Sequence, residues 1–171
     1  MIKKIAITGP ESTGKTTLAQ ALAQHYQTVW VPEYAREYLE NLPRKYNYDD
    51  ILIIAQRQLQ KEQELLLKAN RYLFVDTELL VTKIWCEHVF GKCHQWIIDH
   101  LHKQKYDLYL LCNIDLPWTF DPLREHPHLR EYLFKWYLRE IKSFQWNFAI
   151  INGFDIQERT AQAIKHIESL T

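Results

Sequence analysis

A chain of 171 residues, 47% of them hydrophobic, is long enough to bury a sizeable core and predicts one folded domain over 1–171. Lys plus Arg and Asp plus Glu both number 21, so the electrostatic footprint of a nucleic-acid-binding protein is missing and a DNA-binding role is not expected. No apolar run approaches a membrane span, and MIKKIAITG enters a strand pattern at once, which predicts a cytoplasmic protein without a signal peptide or membrane partner.

Ile2 to Thr8 is a β-rich run without charge after Lys4, the pattern of a buried parallel strand. It feeds Gly9, Pro10, Glu11, Ser12, Thr13, Gly14, Lys15, Thr16 and Thr17, in which Gly9, Gly14, Lys15 and Thr16 match GxxxxGK[ST] between a strand and a helix. A nucleotide's β-phosphate must sit against backbone N–H groups there, and a side chain at either glycine would block the approach or the turn. Lys15 is therefore expected to reach the β and γ oxygens of ATP, and Thr16 to ligate Mg2+.

The helix after the loop repeats Leu18, Ala19, Leu22 and Ala23 and runs to about His25. Thr28 to Val31 reads as a second strand stopped by Pro32, which also suits the first turn of a short helix carrying Glu33, Tyr34, Arg36 and Glu37. Asn41 to Asp49 is loop-like, and Asp49 or Asp50 can cap a long helix whose face is Ile51, Ala55, Leu59, Leu66 and Ala69, ending at Asn70. Tyr72 to Val75 is a third strand that delivers Asp76 and Thr77 to its C-terminal edge, and Glu78 to Phe90 is a helix closed by Gly91.

Gln95 to Lys103 is a short helix and Leu108 to Cys112 an apolar fourth strand. The segment from Asp115 to Arg124 is interrupted by prolines and rich in aromatics and charges, so a mobile lid over about 115–130 is expected. Pro127 can open a helix with Leu129, Leu133, Tyr137, Ile141 and Phe144 on its core face. Phe148 to Ile151 is a fifth strand and Gln157 to Leu170 a closing helix. Alternating strands and helices predict an α/β fold, a five-stranded parallel sheet covered on both faces.

Cys86, Cys93 and Cys112 are odd in number and scattered, which fits a reducing compartment. Cys86, His88, Cys93 and His94 crowd together in CEHVFGKCH, but the spacing matches no zinc pattern and predicts a helix end.

Phosphoryl transfer needs positioning, Mg2+, positive charge on the moving group and something to orient the acceptor. Asp76, at the end of an apolar strand, has the placement of a carboxylate that holds Mg2+ or its waters, although an aspartate there can also cap the next helix. Glu33 and Arg36 share a helix face and could hold a hydroxyl-bearing acceptor, with Glu33 accepting its proton; a surface ion pair is the plainer alternative. Arg124 or Arg130, flanking the lid, could neutralise charge on the transferred phosphoryl oxygens. Trp118 and Tyr34 could stack a flat or cationic ring, or serve only as core.

Five stretches, GPESTGKTTL, PEYAREYLE, FVDTELLVTKIW, DLPWTFDPLR and INGFDIQERTAQAI, resemble in that order the ribosylnicotinamide kinase domain of NadR-type proteins, over nearly the whole chain. The resemblance implies a P-loop kinase fold and ATP-dependent phosphorylation of the 5′-hydroxyl of nicotinamide riboside, a small-molecule partner, to nicotinamide mononucleotide. It marks Glu33, Tyr34 and Arg36, then Asp76, Thr77 and Glu78, as facing acceptor and metal, and Trp118, Asp121 and Arg124 as lid residues. Larger members resemble fusions carrying an adenylyltransferase domain, whose HxGH-like motif this sequence lacks, so the chain is not expected to make NAD itself.

Two other readings compete. One is a kinase for another nucleoside or small metabolite, since a fold fixes the donor better than the acceptor. The other is a nucleotide-dependent switch; a G protein would carry [NT]KxD after a late strand, and Asn113-Ile114-Asp115 lacks the lysine. The sequence leaves open whether Glu33 or Asp76 is the base, and it leaves the oligomeric state open.

Overall fold

In a computed structural model of the chain, residues 1–125 and 127–170 are described. Position 126, inside the expected lid, and position 171, at the end of the expected domain, lie outside the described residues. Strand β1 (Lys3–Thr8) occupies the middle of a parallel sheet ordered β2-β3-β1-β4-β5, with β2 (Trp30–Val31), β3 (Tyr72–Asp76), β4 (Leu108–Cys112) and β5 (Phe148–Ile151). The helices are α1 (Lys15–His25), α2 (Tyr34–Glu40), α3 (Tyr48–Leu66), α4 (Leu79–Phe90), α5 (Gln95–Lys103), α6 (Arg130–Ser143) and α7 (Ile156–Glu168).

Every residue of β3 and β4 is buried, as expected for strands covered on both faces. Tyr72 and Phe74 of β3 join Leu108, Leu110 and Cys112 of β4 against α1 and α7. On the other face, Leu111 meets residues of α3, α4, α5 and α6, while Leu73 and Val75 pack beside the end of α3. Successive side chains of one strand thus feed two separate cores.

Several boundaries differ from expectation for local reasons. Strand β2 covers only Trp30–Val31, because the Thr28 hydroxyl donates to the Tyr72 carbonyl at 2.7 Å and accepts from Asn70 N–H at 2.8 Å, replacing a backbone ladder. Asn47, not Asp49 or Asp50, caps α3: its side chain accepts from Asp50 N–H at 3.1 Å while the Asp50 carboxylate accepts from Asn47 N–H at 2.7 Å. That helix stops at Leu66 rather than Asn70, after which Lys68 and Ala69 N–H groups close a tight turn onto Leu65 and Leu66 carbonyls. Beyond the capping Asp50 its buried stripe is Ile51, Ile54, Ala55, Gln58 and Glu62, so two polar residues continue the face while Leu59, Leu66 and Ala69, expected on it, are only partly buried. Both are bonded there. Glu62 pairs with Lys4 at 2.7 Å, and Gln58 Nε2 donates to the Pro32 carbonyl at 3.1 Å. Pro127 opens a single 3-10 turn, and α6 starts only at Arg130.

Asp50 gives the first test. Its buried carboxylate also accepts from Arg44 at 2.6 Å and from the Tyr38 hydroxyl at 2.6 Å, and Arg44 above all holds it far below the usual carboxylate range. A depressed folded-state pKa contributes stability above the unfolded value and loses it as pH falls. Asp50→Asn is therefore expected to cost about 1–2 kcal/mol at neutral pH, a difference that shrinks below about pH 4 in urea titrations.

Candidate active site

Central strand β1 ends at Thr8, and the chain leaves it through Gly9 with φ 135°. A Cβ at Gly9 would lie 2.9 Å from the Cys112 carbonyl oxygen, and one at Gly14, where φ is 77°, would lie 3.0 Å from Leu116 Cδ1. Only glycine fits either place. Gly14 is the N-cap of α1 and supplies no side-chain cap, so the first N–H groups of that helix remain available to an anion. The loop is braced internally by Thr13, whose buried hydroxyl donates to the Pro10 carbonyl at 2.8 Å. Lys15 Nζ donates to the Gly9 and Pro10 carbonyls at 2.9 and 2.7 Å, which lays its ammonium across the loop.

Strand β3 carries Asp76 to the same sheet edge, fully buried, where Oδ2 accepts the Thr16 hydroxyl at 2.6 Å. Burial first, and the nearby Glu33 second, push its pKa up to about 6 against the opposing pull of Thr16 and Lys15. A hydroxyl and a carboxylate oxygen side by side are the hard donors that Mg2+ takes when phosphates and water complete its shell. Among the described residues no group of three or more His, Cys, Asp or Glu could hold a metal, so an all-protein metal centre is absent there.

A cavity opens beside the loop, whose residues 9–17 form one wall. Helix α2 contributes Glu33, at its N-cap, and Arg36; α4 contributes Val81, Ile84, Trp85 and His88; α6 contributes Leu133 and Tyr137. Arg124 and Glu125 border it from the proline-rich segment. Tyr46 completes the aromatic side, its hydroxyl accepting Trp85 Nε1–H at 3.0 Å and donating to Glu125 at 2.7 Å. The space is acidic and basic near the loop and aromatic away from it.

Other expected site residues sit elsewhere. Glu78 does not face the cavity: it is buried as the N-cap of α4, accepting from Leu80 N–H at 2.7 Å, the Thr8 hydroxyl at 3.0 Å and Gln104 at 2.9 Å. The cap alternative weighed for Asp76 therefore belongs to Glu78. Thr77 turns the chain with φ 71° and donates its N–H to the Ile7 carbonyl at 3.1 Å. Tyr34 is off the cavity, its ring 4.8 Å from Lys61 Nζ, and its backbone N–H donates to Gln58 Oε1 at 2.7 Å. Trp118 lies under the guanidinium groups of Arg124 and Arg130, at 6.0 and 5.8 Å, so its cationic neighbours come from its own segment.

That segment is fastened to the phosphate loop. Thr119 N–H donates to Ser12 Oγ at 3.0 Å, Glu125 N–H to Glu11 at 3.2 Å, and Arg130 to the Ser12 and Leu116 carbonyls at 3.1 and 2.8 Å. Asp121 pairs with Arg36 of α2 at 3.0 Å, and Arg124 donates to the Thr119 carbonyl at 2.6 Å. Sequence reasoning passed over Tyr46, Trp85 and Arg159. Val81, Trp85 and His88 share a helix face, and that spacing was the available signal for the first wall. Arg159, 1% exposed in α7, carried none.

A glycine-bounded loop after the central strand, facing a carboxylate at the end of the neighbouring strand, on this sheet order, defines a P-loop domain of kinase fold. The chain belongs to the AAA domain family, whose model matches residues 4–159. It is 31% identical over 127 residues to the trifunctional NAD biosynthesis/regulator protein NadR of Salmonella typhimurium, and equally to that of Escherichia coli. Those matches cover 72% of this chain, which spans only 31% of the relatives' length. Among solved structures, a NadR protein in complex with NR superimposes with a TM-score of 0.78 and 22% identity, covering 99% of this chain and 51% of the other. Thymidylate kinase from Candida albicans has a TM-score of 0.69 at 18% identity, with 98% and 92% covered. Deoxyadenosine kinase from M. mycoides has 0.68 at 15%, with 97% and 99% covered.

Proposed function

We propose that the chain is an ATP-dependent kinase acting on the 5′-hydroxyl of nicotinamide riboside to give nicotinamide mononucleotide and ADP. The observation that carries the reading is one cavity joining a phosphate loop, the Glu33 carboxylate at the N-cap of α2 and an aromatic wall. The 31% identity to NadR supports the choice of acceptor. Nicotinamide riboside carries a positively charged pyridinium, and a cation over an indole face gains about 0.5–2 kcal/mol. Trp85, with Tyr46 bonded to it, takes the part first assigned to Trp118 or Tyr34.

In this mechanism backbone N–H groups of Glu11 to Gly14 and the N-terminus of α1 hold the donor phosphates, Pro10 having no N–H to offer, and Lys15 reaches the β and γ oxygens. Thr16 and Asp76 would hold Mg2+, which when bound neutralises phosphate charge. The acceptor oxygen attacks the γ-phosphorus, the bond from that phosphorus to the bridging oxygen breaks, and ADP leaves. Glu33 takes the hydroxyl proton, because Asp76 is already occupied by Thr16. Arg124 offsets charge on the moving phosphoryl group, with Arg36 and Asp121 joining the acceptor helix to a lid over 115–130 of a single domain. Use of ATP and three free cysteines agree with a cytoplasmic setting. Among the described residues no helix is long and apolar enough to cross a membrane.

An acceptor panel with ATP and Mg2+, resolved by product analysis, tests this. The expected result is nicotinamide mononucleotide plus ADP, with Trp85→Leu raising the KM for nicotinamide riboside about tenfold. Transfer to other nucleosides and none to nicotinamide riboside would overturn it. The likeness in fold to thymidylate and deoxyadenosine kinases makes those acceptors the necessary comparison.

A further inference from the structure

Arg159 heads the large side chains that are fully buried, and a buried guanidinium is costly unless its donors are met. Here they are met. Asp115 supplies the carboxylate, Nε donates to the Gly153 carbonyl at 2.9 Å, Nη1 to the Thr13 carbonyl at 2.7 Å, and Nη2 to the Asn113 carbonyl at 3.0 Å. Asp115 uses its other oxygen to accept Gly153 N–H at 2.6 Å, and Asn113 bonds Asn152 at 2.7 Å. Three segments far apart in sequence are thus gathered on one planar group: the phosphate loop, the exit of β4 and the exit of β5.

An apolar cluster could hold these loops together with less desolvation, so burial of a charge here calls for a geometric reason. A guanidinium fixes directions as well as distances, which one ammonium cannot do. None of Asn113, Asp115, Asn152 or Gly153 lines the cavity beside the loop. They border the phosphate loop outside that cavity, through Arg159 on the Thr13 carbonyl and Leu116 beside Gly14, which leaves the exits of β4 and β5 to meet the part of a nucleotide that does not enter the cavity.

We propose that Arg159 is a positioning residue for the nucleotide donor, holding the phosphate loop and the Gly153 turn at one fixed separation so that phosphates and nucleoside are gripped together. The inference rests on nucleotide binding at the phosphate loop and is independent of the acceptor. Calorimetric binding of ATP with Mg2+ to the unaltered chain, Arg159→Lys and Asp115→Asn tests it, with thermal midpoints recorded in parallel. ATP affinity is expected to fall about tenfold in Arg159→Lys and to fall in the same direction in Asp115→Asn. Lowered midpoints with unchanged ATP affinity would reduce Arg159 to a structural tie and overturn the proposal. If Arg159→Lys does not fold, Asp115→Asn, at a partly exposed position, decides by the same criterion. Absence of ATP binding by the unaltered chain would instead overturn the reading of the phosphate loop itself.

Discussion

Lys15→Ala is expected to lower turnover by on the order of 10²- to 10³-fold, the usual loss when one preorganised charge is removed from a transition state. The ammonium is held by two loop carbonyls, so its position is set before substrate arrives. Those same bonds are few and partly exposed, and the loop's shape is kept without Lys15, by the conformations of Gly9 and Gly14 and by the bonds of Thr13 and Arg159. The loss should therefore appear in kcat at saturating acceptor, with the folded state intact by circular dichroism. Near-normal turnover would remove Lys15 from the mechanism.

Asp76→Asn is expected to reduce Mg2+-dependent turnover about 100-fold or more while leaving the thermal midpoint at pH 8 equal to or above that of the unaltered chain. The sign follows from the carboxyl group's raised pKa of about 6. A carboxyl whose folded pKa exceeds its unfolded value favours the folded state in its neutral form, and that contribution disappears as pH rises through the folded value. At pH 8 the charged form is thus a burden on stability that a neutral asparagine of the same shape lifts. Asparagine can still accept the Thr16 hydroxyl. A collapsed midpoint would mean that Asp76 serves the fold first and the reaction second.

What the sequence disclosed was local. Five strands are legible because buried parallel strands read as unbroken apolar runs, and Gly9 to Thr17 because its glycines, lysine and threonine have fixed offsets. The cap of α3 was missed because Asn47, Asp49 and Asp50 are all good caps by type, and the choice falls to the residue whose backbone is extended. Glu78 misled for a related reason: adjacency to Asp76 in sequence does not carry over to direction, and its side chain turns back to the helix it starts. Tyr46 and Trp85 meet only when the loop before α3 folds against α4, a contact that no spacing records. Arg159 binds partners from three distant segments, and nothing near it in sequence distinguishes it from a solvated helix charge.

The place of β1 in the middle of the sheet also governs when the protein can acquire its loop. Its two neighbours are β3 and β4, whose residues 72–76 and 108–111 leave the ribosome well after β1 itself. Until both have been made, the N-terminal strand has no ladder on either side, and the Gly9 turn lacks the Cys112 carbonyl against which it is moulded. Non-local pairing of this kind delays assembly, since loop closure must precede any reward. Nucleotide capture thus has to wait for β4, and a ligand present at that moment meets a central strand that has just gained both its neighbours.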